Sequence, residues 1–470
     1  MKNIRMPIPI FLLSLSLAIS ISYLTESKDL KVIDGSELVS TAKPWSSFKL
    51  KIAKRHNYGG TFTFFTPVFC IKDQSVMNFS LVISLIDLHT DLAIWNLFNE
   101  YVPTHQELGL KTIKIFKAED FFIIPLGGYQ KLNFLKIDKN SFSKFIFDVP
   151  IKGCITSTQT FIGPEEKLKV FYCFGTAVQP YVPHIKSAGL MDVNQQKQLH
   201  NINLGIEVIC ASNLLDKNSK EPLILTGTYS GMNATYGTST TDFFRAYVFI
   251  FDTLGNKKFF KAYWGSYLKV VPFIINLKRE KKIFVFGEGH YFKQYGFIER
   301  LDTKSFNVER SVDFKSAIYS PVFVDLDRDE NIEIVIGTAD GRLITVTKDL
   351  RVLQETRIPP LSRDVDYLQV YPLQAFDMDN DGKVEYFVRV LEEKIIARTP
   401  KGTHRKFLLR FIILDDDFRI RFERDTEDYG FGLIFDADDD GVNELVIGDK
   451  SGNLEIWEES NGKTSYTYNR

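Results

Sequence analysis

The apolar positions of this chain fall in short runs bounded by turn residues, the pattern of β-strands rather than of amphipathic helices. Three segments near the C-terminus share one grammar of apolar strand, acidic turn and second apolar strand: Phe323–Gly337, Phe376–Arg389 and Phe435–Gly448. In the first and third a five-residue connection, Gly337–Gly341 or Gly448–Gly452, leads to an alternating strand, Leu343–Val346 or Leu454–Trp457. Each unit is therefore predicted to be a small antiparallel meander. The same second strand recurs upstream with its acidic turn eroded, ending at Ser84, Gly127, Gly175, Gly227 and Gly287. With Gly337, Arg389 and Gly448 these ends mark eight units about fifty residues apart.

A period near fifty in an all-strand chain fits a four-stranded propeller blade and is too long for a solenoid rung. One blade cannot bury both of its faces, whereas blades packed radially cover one another. The fold class is thus all-β, a β-propeller of four-stranded antiparallel blades. Eight blades are expected, with seven plus an N-terminal strand layer as the alternative count. The last unit has barely room for four strands, so a strand from the region 30–52 is expected to complete it and close the ring.

Composition agrees: the 470 residues include 40 Phe and 20 Tyr, which favour strands. Lys plus Arg (58) nearly cancels Asp plus Glu (59) and no long basic run occurs, so neither nucleic acid nor anionic lipid is indicated as a partner. Lys2 and Arg5 precede an apolar stretch from Ile8 to Leu24 with Ala18 and Ser20 as a cleavage signal. Residues 1–24 therefore read as a signal peptide, or as an N-terminal anchor if uncleaved, and 25–470 as one extracytoplasmic propeller domain with no further membrane insertion. Cys70, Cys154, Cys173 and Cys210 have no metal-site spacing. Cys154 and Cys173 flank one predicted hairpin and either pair or stay as buried thiols. Asn78 and Asn233 match the glycosylation acceptor pattern.

The acidic turns carry the chemistry. Carboxylates stand at positions 1, 3, 5 and 9 of each: Asp325, Asp327, Asp329, Glu333; Asp377, Asp379, Asp381, Glu385; Asp436, Asp438, Asp440, Glu444. Four carboxylates on one nine-residue turn repel unless a hard cation takes their oxygens, and calcium accepts six to eight such ligands. The position 7 carbonyl, from Asn331, Lys383 or Val442, would add another. Gly382 and Gly441 at position 6 allow the sharp reversal, while Glu330 there makes the first loop less ideal. An EF-hand is excluded because position 12 is Ile336, Val388 or Ile447, inside a strand. Upstream, Asn276–Glu280 has Lys278 in place of a ligand, so no metal is expected there. Up to three structural calcium ions follow.

The Asp-x-Asp-x-Asp-Gly-x-x-Glu turn followed by an apolar strand and Gly resembles the FG-GAP or VCBS repeat of integrin-alpha-like propellers. The match is specific from about Phe323 to the end and decays upstream to about residue 70. The resemblance implies that the aspartate loop joins the first two strands of a blade and that ligands use the opposite rim. On that rim the alternation places long loops of three consecutive units, containing Tyr181, His184, Tyr229, Met232, Tyr236, His290, Tyr291 and Tyr295. Aromatic and hydrogen-bonding groups together suit a glycan or protein ligand, or else pack to cover the rim. Asp364, Asp366 and Tyr367 form a second candidate surface.

The seven His are dispersed and no nucleophile–base signature is legible, so a binding or adhesion role is expected. A calcium-containing propeller polysaccharide lyase and an envelope structural subunit are the alternatives.

Overall fold

The computed structural model describes residues 31–34, 44–57, 62–72, 75–84, 114–117, 121–127, 131–138, 142–148, 154–162, 168–175, 187–192, 197–203, 223–227, 245–265, 268–278, 280–288, 296–361, 364–399, 402–426, 430–435, 442–449 and 453–460. All their regular structure is β. Four strands precede the regular series: β1 (Lys31–Asp34), β2 (Leu50–Asn57), β3 (Phe62–Lys72) and β4 (Ser75–Ser84). A first group is β5 (Lys114–Lys117), β6 (Phe121–Gly127), β7 (Lys131–Asp138) and β8 (Phe142–Asp148). A second is β9 (Cys154–Ile162), β10 (Leu168–Gly175), β11 (Ser187–Asp192) and β12 (Lys197–Asn203). The third contains β13 (Leu223–Gly227), β14 (Arg245–Asp252) and β15 (Lys257–Trp264). The fourth is β16 (Lys269–Asn276), β17 (Lys281–Glu288), β18 (Gly296–Asp302) and β19 (Val308–Phe314). The fifth is β20 (Ile318–Val324), β21 (Glu333–Thr338), β22 (Arg342–Val346) and β23 (Val352–Arg357). The sixth is β24 (Tyr367–Phe376), β25 (Glu385–Thr399), β26 (Gly402–Leu414) and β27 (Ile420–Thr426). The last is β28 (Gly430–Phe435), β29 (Glu444–Asp449) and β30 (Asn453–Glu459).

Each group is one antiparallel meander sheet, and the fold is a β-propeller. Neighbouring sheets bury their faces against each other. Phe171 against Phe251 joins the second sheet to the third. Leu225, Val248 and Val285 join the third to the fourth, Phe286 and Ile336 the fourth to the fifth, Val335 and Val388 the fifth to the sixth, and Phe411 and Ile447 the sixth to the seventh. The hairpin β3–β4 completes the cycle, with β3 beside β28 and β29 on one side and β6 and β7 on the other.

Local chemistry fixes which strand lies at the sheet edge. β16, β20 and β24 each begin a sheet and each contains a proline, Pro272, Pro321 or Pro372. Proline has no N–H for a second ladder and is confined to edge strands. The glycine that ends the second strand has a packing reason. A Cβ on Gly227 or Gly337 would lie 1.8 Å from the carbonyl oxygen of Val270 or Val370, on the edge strand of the next sheet. The turns between third and fourth strands also repeat. Asp252, Asp302, Thr347 and Asp415 accept turn N–H groups through side-chain oxygens, and Gly255, Phe306, Leu350 and Phe418 follow with positive φ. The three bulky residues tolerate that conformation because they pack into the clusters between sheets.

Closure uses an N-terminal strand, as expected, but over different residues. β2 pairs antiparallel with β30, from Leu50 opposite Glu459 to Asn57 opposite Asn453. The segment 30–52 is split, since β1 pairs with β5 in the first sheet instead. Ahead of β2, Trp45 is 1% exposed; its N–H donates to the Met378 carbonyl at 2.8 Å and its indole to the carbonyl of Asn443. Trp45 thus ties the acidic loop of the sixth sheet, through its main-chain N–H, to that of the seventh, through its indole.

Among the described residues the sheets hold five, four, three, four, four, four and four strands, beside the two-stranded hairpin at the unit ending in Ser84, so the four-stranded antiparallel sheet expected of a blade is the prevailing unit. The second strand of the sixth sheet runs past Arg389 to Thr399 and forms a long hairpin with β26. Cys154 and Cys173 lie on paired strands but in different register positions, opposite Gly175 and Ser157.

Candidate metal sites

The loop between β20 and β21 and the loop between β24 and β25 hold the first two acidic motifs. Oxygens of Asp325, Asp327 and Glu333 converge within 4.8 Å of one another, and those of Asp377, Asp379 and Glu385 do the same. Positions 1, 3 and 9 are therefore brought together in both loops. Position 9 is delivered by the first residue of the second strand, where Glu333 and Glu385 are buried. Each Glu accepts the N–H of loop position 2, Leu326 at 3.0 Å and Met378 at 2.7 Å, which leaves its other oxygen for the cluster.

The backbone follows one template. Position 4 has positive φ in both loops, Arg328 at 60° and Asn380 at 60°. Position 6 does as well, Glu330 at 68° and Gly382 at 94°. The first loop thus holds a glutamate in the left-handed region, at a cost of about 1 kcal/mol or more that glycine avoids in the second. Position 6 N–H groups bond back to position 1, Glu330 to Asp325 at 2.9 Å and Gly382 to Asp377 at 3.0 Å.

Position 5 stands beside the converging oxygens rather than among them. Asp329 accepts the position 7 N–H of Asn331 at 2.7 Å, and Asp381 that of Lys383 at 2.8 Å, so these carboxylates brace the turn. The side chains of position 7 reach the third turn of the same sheet: Lys348 donates to Asn331 Oδ1 at 2.7 Å, and Lys383 pairs with Asp416 at 2.8 Å.

The electrostatics are those of like charges crowded together. Burial pushes the Glu385 carboxyl up to about 7, with repulsion from Asp379, Asp381 and Asp377 adding to it and the Met378 N–H opposing. Burial likewise raises Glu333, with Asp327, Asp329 and Asp325 adding, and raises Asp379, with Asp381 and Asp377 adding. Asp377 Oδ1 is buried and accepts no hydrogen bond. An orphaned carboxylate oxygen inside an all-oxygen cluster fits a hard cation.

Cations link the loops in series along the rim. Lys278, in the eroded turn of the fourth sheet, donates to the Asp329 carbonyl at 3.2 Å and pairs with Glu330 at 3.4 Å. Arg328 of the first acidic loop reaches Asp377 of the second at 2.9 Å. In the eroded unit itself, Leu277 and Glu280 close a tight turn by mutual backbone bonds, with no acidic cluster among the described residues there.

For the third loop Asp436, Asp438 and Asp440 lie outside the described residues; Val442 is described and Glu444 is buried. Tyr181, His184, Tyr229, Met232, Tyr236, His290, Tyr291 and Tyr295 also lie outside them. Asp366 plays a structural part, because its carboxylate accepts the Ile395 N–H at 2.6 Å where β25 leaves the ladder of β24, and Asp364 pairs with Lys394 at 3.3 Å. Sequence reasoning missed Trp45 and the cationic links, because both act between residues far apart in the chain.

No protein-family model and no curated protein sequence matches the chain. Solved structures that are similar include BBS1N in complex with ARL6DN, at 10% identity and TM-score 0.38, covering 89% of this chain and 99% of that one. Another is BamB from Moraxella catarrhalis, at 10% identity and TM-score 0.36, covering 91% and 98%. A third is a europium-containing methanol dehydrogenase, at 8% identity and TM-score 0.46, covering 91% and 82%. The class defined by the sheets and loops described above is a β-propeller bearing acidic, cation-competent loops on one rim.

Proposed function

We propose that this chain is an extracytoplasmic, calcium-stabilised propeller of the FG-GAP or VCBS kind, acting as a binding or adhesion module for a protein or glycan. The observation that carries the reading is the pair of matching loops in consecutive sheets, each converging three carboxylates with one buried glutamate among them. Calcium bound there would be held by Asp325, Asp327 and Glu333, and by Asp377, Asp379 and Glu385, and would neutralise charge the fold otherwise crowds together. The third site would use Asp436, Asp438, Asp440 and Glu444. Calcium is favoured over transition metals because the donors are hard oxygens with no His or Cys among them.

The seven sheets and the β3–β4 hairpin in cyclic order support a ring of eight units. Residues 1–24 act in this reading as the export signal. The chain's own residues then divide the work between two rims: the acidic loops rigidify one, and the opposite one presents the ligand surface. The test is calcium content per chain after dialysis against calcium-containing buffer. Two to three ions are expected, with Asp379→Ala and Asp438→Ala each removing one; a calcium-free wild type refutes the proposal.

A further inference from the structure

The hairpin of β25 and β26 reaches beyond the sheet it belongs to. β25 leaves the ladder of β24 after Glu393, opposite Tyr367, and β26 joins that of β27 only at Leu409, opposite Thr426. Residues 394–399 and 402–406 therefore pair only with each other, as a two-stranded ribbon about 20 Å long. It lies at the β25–β26 end of the sheet, opposite the acidic loop between β24 and β25.

The ribbon is cationic. Lys394, Arg398, Lys401, Arg405 and Lys406, with His404, fall within thirteen residues that contain no carboxylate, in a chain whose net charge is −1. Register spreads them over both faces. Lys394 stands opposite Lys406, and Ala397 opposite His404; Ile395 stands opposite Arg405, and Arg398 opposite Thr403. Lys394 pairs with Asp364 and Arg405 with Glu393 at the base. Arg398, His404 and Lys406 are exposed, and among the described residues Arg398 and Lys406 make no ion pair. Ile396, the bulged residue between Ile395 and Ala397, is 64% exposed.

We propose that this ribbon binds an acidic polysaccharide, a chain bearing carboxylate or sulfate groups. Three observations select that occupant. The bulge and the charged flanks block pairing of another strand along the free edges. A protein partner needs a contiguous apolar centre, and the ribbon offers one exposed isoleucine, Ile396, among cations. A bilayer meets one face, whereas here cations occupy both. A flexible polyanion can follow both faces. The inference rests on the binding-module reading in taking a glycan as ligand, and it adds the charge of that glycan and the element that holds it.

The test immobilises polygalacturonate and heparin, with dextran as neutral control, and measures binding of the full chain in calcium at rising NaCl. Binding to both acidic polymers and not to dextran, weakening with salt, is expected. Arg398→Glu/Lys406→Glu is expected to lose about tenfold or more in affinity with an unchanged melting midpoint. Equal affinity in that variant, no retention on either acidic polymer, or binding only to phosphatidylglycerol vesicles or to polyglutamate overturns the proposal. Calcium uptake is read on the same samples, so failure of the metal reading and failure of this one are separately visible.

Discussion

Trp45→Ala should open the ring at its seam and loosen two acidic loops while leaving the third described feature of the rim, the loop at Asp325, intact. The indole is almost fully buried, packs edge-on against Phe48 with ring centroids 6.0 Å apart, and lies in the cluster formed with Phe411, Ile434 and Trp457. Removing a buried tryptophan costs about 3–5 kcal/mol. The Asn443 carbonyl also loses its indole donor, which adds about 1 kcal/mol. A total of about 4–6 kcal/mol should appear as a lower urea midpoint in equilibrium unfolding followed by tryptophan-independent circular dichroism. Trp45→Phe keeps the ring and loses only the donor, so about 1–2 kcal/mol is expected. Because the Trp45 ring lies in one packed cluster with Met378, position 2 of one loop, and its indole holds Asn443, position 8 of the next, calcium titration should show weakened binding at those two sites. Binding at Asp325, Asp327 and Glu333 should be unchanged. A Trp45→Ala protein within about 1 kcal/mol of wild type, or one that weakens all sites equally, would refute the seam argument.

Three further outcomes are expected. Gly337→Ala drives a Cβ into the Val370 carbonyl at 1.8 Å and should destabilise by about 3 kcal/mol, whereas Gly382→Ala, whose nearest neighbour is Arg328 Nη2 at 3.8 Å, should cost only the left-handed φ, about 1 kcal/mol; urea midpoints that rank them the other way contradict the packing account. The raised carboxyl of Glu385 gives the calcium-free fold a contribution that is fully present below about pH 4.5 and is lost as pH rises to about 7, since the unfolded chain gives up that proton first; calcium should offset the loss, and melting curves at pH 5 and 7.5 with and without EDTA, compared with Glu385→Gln, will show whether it does. Arg328→Ala removes a cation 2.9 Å from Asp377 and should tighten calcium at the second loop by roughly two- to five-fold with little change in stability; weaker binding in calorimetry would mean that the guanidinium supports the site.

Much of the propeller was legible because its repeat is written locally. At Gly227 and Gly337 the glycine ending the second strand marks a place where the next sheet's backbone approaches too closely for a Cβ, and at Gly287 the obstacle is the Phe297 ring of the same sheet. Arg389 occupies the corresponding place in the sixth unit, and the missing glycine was itself a sign that the strand continues to Thr399. Proline four or five residues before the first two acidic motifs, at Pro321 and Pro372, was a second available signal for the edge strands. The turns at Phe306, Leu350 and Phe418 were hidden, because bulky residues with positive φ are held by contacts from adjacent sheets rather than by local preference.

The acidic clusters were legible at positions 1, 3 and 9, where spacing on a short turn forces convergence. Position 5 was not, since the choice between facing the cluster and bracing the turn is settled by the position 7 N–H. Trp45 lies 398 residues from the carbonyl it bonds, a separation no periodicity can reveal. The eroded turn at Lys278 was legible as lacking a ligand, but its reach into the neighbouring loop was not.

The most direct measurement is thermal unfolding of the chain at pH 7.5 in EDTA and across a calcium titration, with bound calcium counted in the same samples. The account predicts a midpoint that climbs with calcium and levels off as two to three ions bind. An unchanged midpoint with no bound calcium would contradict it.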